Sequence, residues 1–175
     1  MRKPKYNPSN IKWLQTAIAL EKKALSDYME YALSVQGRAG KDMFLKLARD
    51  EFHHMEMLTK ELERLLGGHA WLKIRVPLSA IEETIPLIKK RGIVSADIAQ
   101  SNEVQVLSLA IETEKKAMEF YLNKSYEAET KPAKLLLKRL VVMEQAHYQI
   151  LQAEKDNITR TGLWMGVRER PFEVD

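Results

Sequence analysis

The sequence predicts an all-α fold: a four-helix bundle made from two duplicated helical hairpins joined by one long crossover. Three observations carry this. The 175 residues hold only 7 glycines and 6 prolines, and the long stretches between them are rich in Ala, Leu, Glu and Lys, apolar at helical spacing. Residues 17–28, AIALEKKALSDY, align with residues 110–121, AIETEKKAMEFY, at an offset of 93, with seven of twelve positions identical. The same offset carries Glu51 onto Glu144 and His54 onto His147. One shift relating both helix pairs marks a duplication.

The first helix is expected from about Asn10 to Val35, with an inward stripe of Leu14, Ile18, Glu21, Leu25, Tyr28 and Ala32. Gln36-Gly37-Arg38-Ala39-Gly40 breaks it. The second runs from about Lys41 to Leu66, through Phe44, Leu47, Glu51, His54, Leu58 and Leu62, and Gly67-Gly68 stops it. Residues 68–101 form the crossover. Within it, Ser79 to Arg91 suits one short helix, with Ser79 as N-cap and Glu82 at capping-box spacing. The third helix runs from about Ser101 to Lys124, through Leu107, Ile111, Glu114, Met118 and Tyr121. The fourth runs from about Pro132 to Asp156, through Leu137, Leu140, Glu144, His147 and Leu151, with Pro132 in its first turn. Residues 1–157 thus read as one bundle domain. Residues 158–175, which carry Trp164, Met165 and Phe172, read as a C-terminal tail with no assigned partner.

Composition narrows the function classes. With 45% apolar and 30% charged residues, the chain suits a globular domain rather than a disordered one. No run of about 18 uncharged apolar residues is present, so no membrane-spanning helix is expected. The opening MRKPKYNPSN is basic but lacks an apolar stretch after it, so no signal peptide is expected. The absence of cysteine excludes thiolate zinc sites, rubredoxin-type iron, iron–sulfur clusters and thiol nucleophiles, and it suits a cytoplasmic protein. A net charge of +4 is spread along the chain, which gives no argument for nucleic-acid binding.

Each stripe carries an acid where a core residue belongs. A buried carboxylate costs several kcal/mol unless it is paired or bound to metal. Glu21, Glu51, Glu114 and Glu144 stand near mid-helix, and His54 and His147 follow three residues after Glu51 and Glu144, on the same face one turn along. Facing residues of an antiparallel pair lie equally far from the turn. The midpoint between Glu21 and the 51/54 pair falls on Gln36-Gly37, and that between Glu114 and the 144/147 pair falls beside Thr130. Each lone glutamate is therefore level with its Glu-x-x-His.

Bringing the hairpins together collects four carboxylates and two imidazoles, the donor set of a dinuclear iron or manganese carboxylate site. Four carboxylates balance two divalent ions. Oxygen and imidazole donors without sulfur suit iron or manganese, and zinc also fits. Glu51 and Glu144 are expected to bridge. Tyr28 and Tyr121, two turns after Glu21 and Glu114, are either core aromatics or hydrogen-bond donors that orient metal carboxylates. His53 maps onto Ala146 and is expected at the surface or behind the ligands; His69, after a double glycine, reads as structural.

LEKKALSDY (20–28) with DEFHHMEML (50–58), and TEKKAMEFY (113–121) with MEQAHYQIL (143–151), resemble the ferritin-like superfamily and, within it, the rubrerythrins. The resemblance covers roughly residues 10–157. It implies a ferritin-like bundle with two non-haem iron ions, and reduction of hydrogen peroxide to water as the activity. Two departures stand out. Many rubrerythrins carry a C-terminal rubredoxin-like module with four cysteines, and this chain has none, so electrons are expected from a separate donor protein such as a rubredoxin. Rubrerythrins with peroxidase chemistry typically place a seventh carboxylate one turn after the third-helix ligand, where this chain has Ala117.

Other readings remain open at this point. A di-iron oxygenase acting with O2 on an organic substrate needs an apolar pocket beside the metals. A dimanganese catalase releases oxygen from peroxide without a donor. Ferritin-like iron handling needs a hollow cage, and a metal-free interaction module leaves six ionisable residues on apolar stripes unexplained. The repeat also points to a homodimer, with hairpins exchanged between chains as an alternative to pairing within one.

Overall fold

The structure, a computed structural model, describes residues 8–72, 76–91, 94–99 and 102–166. The first hairpin is α1 (Pro8–Ser34) and α2 (Arg38–Leu66); the second is α4 (Glu103–Glu127) and α5 (Lys131–Thr161). The crossover contributes α3 (Ala80–Arg91) and a short strand β1 (Val94–Ile98), and the chain beyond α5 contributes β2 (Leu163–Gly166). The fold is the expected all-α bundle of two duplicated hairpins, with a small ribbon added at one end.

The helix limits follow local chemistry. Between α1 and α2 only Val35, Gln36 and Gly37 lie outside helix. Thr130 caps α5 by accepting the Ala133 N–H at 3.3 Å, and Pro132 sits in the first turn, where its missing N–H costs nothing. Ser79 and Glu82 form a reciprocal capping box on α3: the Ser79 N–H donates to Glu82 Oε2 at 2.8 Å, and the Glu82 N–H to Ser79 Oγ at 3.2 Å. Glu82 also receives both Nη atoms of Arg139, which fastens the crossover to α5.

The predicted stripes are the buried faces. Leu14, Phe44, Leu47, Leu58, Leu107, Leu137, Leu140 and Leu151 are fully enclosed, together with Tyr28 and Tyr121. Ile18 and Leu25 are only partly covered, because small Ala17 and Ala24 take the innermost turns of α1; Leu62 and Met118 are also only partly covered. Among the described residues no helix is long and apolar enough to cross a membrane.

The structure differs from expectation at the end of the chain. The last helix does not stop at Asp156 but runs to Thr161, since Asn157 and Ile158 are buried and nothing breaks it before Gly162, which caps it at φ 70°. The next four residues pair antiparallel with β1, a strand that helical periodicity did not predict within residues 68–101. Trp164 and Met165 are buried in the main core. Phe172 lies outside the described residues. Trp164 Nε1 donates to the buried carboxylate of Glu103 at 2.6 Å, and that carboxylate also caps the Gln36 N–H at 2.9 Å.

Two buried glutamates fix the chain as it leaves the bundle. Glu61 accepts the Leu72 N–H at 3.0 Å; Glu154 accepts the Met165 N–H at 3.0 and 3.1 Å. They are related by the offset of 93, as are Trp71 and Trp164, so the duplication extends through residues 72 and 165. Burial pushes the carboxyl of Glu154 up to about 8, only partly countered by the Met165 N–H.

The Trp164 indole lies against Gly40, where an added Cβ would come within 2.7 Å of the ring. Gly40→Ala should therefore lower stability by about 1–2 kcal/mol net, overpacking outweighing the gain in helix propensity. Denaturant unfolding checks this, and an unchanged or raised midpoint would contradict the packing. Glu154 is neutral in the folded chain up to about pH 8, whereas in the unfolded chain it ionises near 4.5. Folding thus retains a proton that the unfolded chain loses, and this group's contribution to stability falls as pH rises between those values. Glu154→Gln, measured by unfolding at pH 5 and 8, should flatten that decline; an identical slope would count against it.

Candidate metal centre

Antiparallel pairing within each hairpin places Glu21 of α1 beside Glu51 and His54 of α2, and Glu114 of α4 beside Glu144 and His147 of α5. All six residues are 0–3% exposed. The two hairpins meet through these side chains. His54 Nδ1 lies 3.4 Å from Glu21 Oε2, 3.0 Å from Glu51 Oε2 and 3.2 Å from Glu144 Oε1. His147 Nδ1 lies 2.9 Å from Glu51 Oε1, 3.1 Å from Glu144 Oε2 and 3.7 Å from Glu114 Oε1. The two rings stack at 5.5 Å with an interplanar angle of 15°.

Donor atoms converge in two groups, each within 4.8 Å: Glu21, Glu51, His54 and Glu144, and then Glu51, Glu114, Glu144 and His147. Glu51 and Glu144 belong to both, as bridging carboxylates must. Whether cations fit can be judged from the unused valences. Among the described residues, Glu51 Oε1, both oxygens of Glu144 and His147 Nδ1 are buried without a hydrogen bond, although Glu51 Oε1 and Glu144 Oε2 lie within ion-pair distance of His147 Nδ1 and Glu144 Oε1 within that of His54 Nδ1. Buried polar atoms are rarely left so. Oxygen and imidazole lone pairs aimed at shared points suit two divalent ions of iron, manganese or zinc type.

The electrostatics agree. Burial raises the Glu21 carboxyl well above its ordinary range, and the nearby charges of Glu144 and Glu51 raise it further. Burial also raises Glu114 well above its ordinary range against the lowering pull of His147, and the charge and hydrogen bond of Glu144 add to the rise. Glu51 and Glu144 are held low despite burial, because both imidazoles face them. Burial acts against charge on His54 and His147, but the surrounding carboxylates raise both well above an ordinary imidazole. A cluster balanced by protons in this way exchanges them for cations when metal binds.

The tyrosines cross between hairpins. Tyr28 of α1 donates its hydroxyl to Glu114 Oε1, and Tyr121 of α4 donates to Glu21 Oε1, a reciprocal pair related by the duplication. Burial, then the Glu21 charge, pushes the Tyr121 phenol well above 10, so it stays a donor. At Glu21 the hydroxyl occupies Oε1 and leaves Oε2 facing His54, whereas at Glu114 it occupies Oε1, the oxygen 3.7 Å from His147 Nδ1. Asp50, which sequence reasoning passed over, lies with Oδ2 3.3 Å from His147 Nε2 and is 2% exposed. Its position next to Glu51, one step around the helix, was the available signal. His53 and His69 are exposed, as is Glu112, which pairs with Lys115 at 2.8 Å.

Beside the cluster, on the α1–α4 side, an opening of about 170 Å³ is lined by Glu21, Glu51, Glu114 and Glu144, with Ala24 and Ala117 in its wall and Lys23 and Lys116 among its lining. It has room for a ligand of a few atoms only.

Known proteins place this arrangement. A hypothetical protein from Pyrococcus furiosus is 22% identical and superimposes with a TM-score of 0.63, covering 86% of this chain and 90% of that one. KatB, a manganese catalase from Anabaena PCC7120, is 19% identical with a TM-score of 0.60, covering 99% of this chain and 86% of that one. At such identities the likeness is one of fold. No curated protein matches the sequence. The rubrerythrin family matches residues 12–155, which span both hairpins, the crossover and all six cluster residues. With the donor set and the fold in agreement, the chain belongs to the rubrerythrin family.

Proposed function

We propose that this chain is a non-haem dinuclear-metal oxidoreductase that reduces hydrogen peroxide to water with electrons from a separate donor protein. The observation that carries this reading is the enclosed donor cluster, with unsatisfied atoms pointing inward and a small opening against its carboxylates. Glu51 and Glu144, common to both donor groups, would be shared by two metal ions, with Glu21 and His54 holding one and Glu114 and His147 the other. Two iron ions would supply the pair of electrons that, with two protons, converts one peroxide into two waters.

The chain's own residues set the rest. The opening excludes bulky substrates, since only a few atoms fit between Ala24 and Ala117. Tyr28 and Tyr121 hold the orientation of Glu114 and Glu21 through hydrogen bonds that must persist if each carboxylate is to present one free oxygen. Asp50 holds the outer nitrogen of His147 and so fixes which nitrogen faces the centre. These 175 residues hold no cysteine, so a rubredoxin-type iron would lie outside them. The oxygen and imidazole donors also suit manganese, which favours peroxide disproportionation as a second reading.

Protein loaded with iron should hold about two ions per chain, and Glu51→Ala or Glu144→Ala should lower this to about one or fewer, because each removes a shared ligand. Elemental analysis decides it, and a full complement in either variant refutes the ligand assignment. Reduced, iron-loaded protein mixed with peroxide should oxidise faster than with O2, consuming about two ferrous ions per peroxide and releasing no oxygen. Oxygen release without a donor would establish disproportionation instead, and faster reaction with O2 would point to oxidase chemistry.

A further inference from the structure

The two imidazoles are equivalent in the repeat but not in what stands behind them. Behind His147, the carboxylate of Asp50 lies 3.3 Å from Nε2. The offset of 93 places Met143 where Asp50 stands, so the other half of the molecule has a thioether in place of a carboxylate. His54 Nε2 is buried and has no hydrogen-bond partner among the described residues. Its Nδ1 edge faces three carboxylates within 3.4 Å, so the edge turned away from them carries Nε2.

The missing acceptor is replaced by space. A cavity of about 360 Å³ lies between α2, α5 and the crossover, bounded by Asp50, His54, Met57, Met143, Pro77 and Leu78. Its walls are mostly apolar, and it lies in the size range of small-molecule sites. It is distinct from the opening between α1 and α4, sharing no residue with it. An imidazole bound to metal through Nδ1 carries its proton on Nε2 and is therefore a donor in need of an acceptor. Among the described residues, the lining holds the Asp50 carboxylate and the exposed His53 but no Lys or Arg, which disfavours an anion.

We propose that this cavity binds a small, neutral, apolar molecule bearing one hydrogen-bond-accepting oxygen, of ketone type, which takes the Nε2–H of His54. The inference rests on the proposed metal centre, since the metal at Nδ1 fixes the proton on Nε2. The ligand does for His54 what Asp50 does for His147. The site thus lets an organic molecule touch a metal ligand from outside, without entering the space left for peroxide.

Zinc-loaded protein, which is diamagnetic, permits a binding test by NMR with cyclohexanone as the probe. Saturable shifts are expected at the His54 Nε2–H and at the Met57 and Met143 methyls. Leu78→Trp, at an exposed crossover position, fills the cavity from its rim. Met143→Asp supplies the acceptor that the other half already has. Each should weaken cyclohexanone by at least about tenfold while zinc stoichiometry stays at the wild-type value. Cyclohexanecarboxylate should bind more weakly than the ketone. Absence of saturable binding to wild-type protein with zinc in place overturns the inference and leaves the metal centre standing. Unchanged affinity in Leu78→Trp, or equal affinity for the carboxylate, also overturns it. Failure to take up zinc at all refutes the metal centre, and the cavity assignment falls with it.

Discussion

Everything in this fold answers to one constraint: four carboxylates and two imidazoles share a volume from which water is excluded. Such a group is tolerable only if each charge meets an opposite one and each lone pair a donor or a cation. Helices supply that at low cost because i, i+3 spacing puts Glu51 and His54, and Glu144 and His147, on one face without strain. The hairpins then need only short turns to bring Glu21 and Glu114 level with them. Contact between hairpins at the centre is polar, through Tyr28 with Glu114, Tyr121 with Glu21, and the imidazoles with the opposite carboxylates. Leu14, Leu58, Leu137 and Leu140 close one end, and Phe44, Leu107, Ile150 and Trp164 close the other. The apolar layers hold the polar one dry, and the polar one sets how far apart the hairpins sit.

Duplication made the centre symmetric, and later change made its surroundings unequal. The clamps at Glu61 and Glu154 are the same device used twice, each catching a backbone N–H eleven residues on. The tryptophans after them diverge. Trp71 stacks on Trp13 with centroids 5.5 Å apart, whereas Trp164 enters the core beside Phe44 and donates to Glu103. Gly40 in place of the repeat-equivalent Ala133 is what admits the second indole. Asp50 against Met143 is the same kind of divergence, one layer nearer to the metals. The six donors and the two tyrosines behind Glu114 and Glu21 are matched; the groups behind the two imidazoles are not.

Most of the bundle was legible because it follows periodicity. The stripes, the turn at Gly37, the capping box at Ser79 and the six donors all express local spacing or the repeat, and each is visible in one dimension. What was not legible depends on partners distant in sequence. β1 and β2 have no strong strand pattern; they pair because Gly162 turns the chain back toward the crossover, where Ala99 N–H meets the Gly162 carbonyl at 2.8 Å. Asp156-Asn157 resembles a helix end, and only the burial of Asn157 and Ile158 shows why the helix continues. Glu61 and Glu154 look like surface charges among many until the offset of 93 is carried past residue 157. Extending the repeat through β2 would have exposed them, together with the pair of tryptophans.

The two alanines one turn beyond Glu21 and Glu114 bear most directly on chemistry. A carboxylate at Ala117 would reach into the opening of about 170 Å³ and occupy it as a further ligand. With alanine there, and alanine again at position 24, that space stays free on both halves alike, so the two metal positions differ little in what surrounds them toward the opening. The inequality lies on the opposite side, where Asp50 supports His147 and a cavity lies behind His54. A carboxylate behind an imidazole strengthens it as a ligand; an unfilled donor does not. The two donor groups are therefore made inequivalent from behind rather than on the side of the opening between α1 and α4.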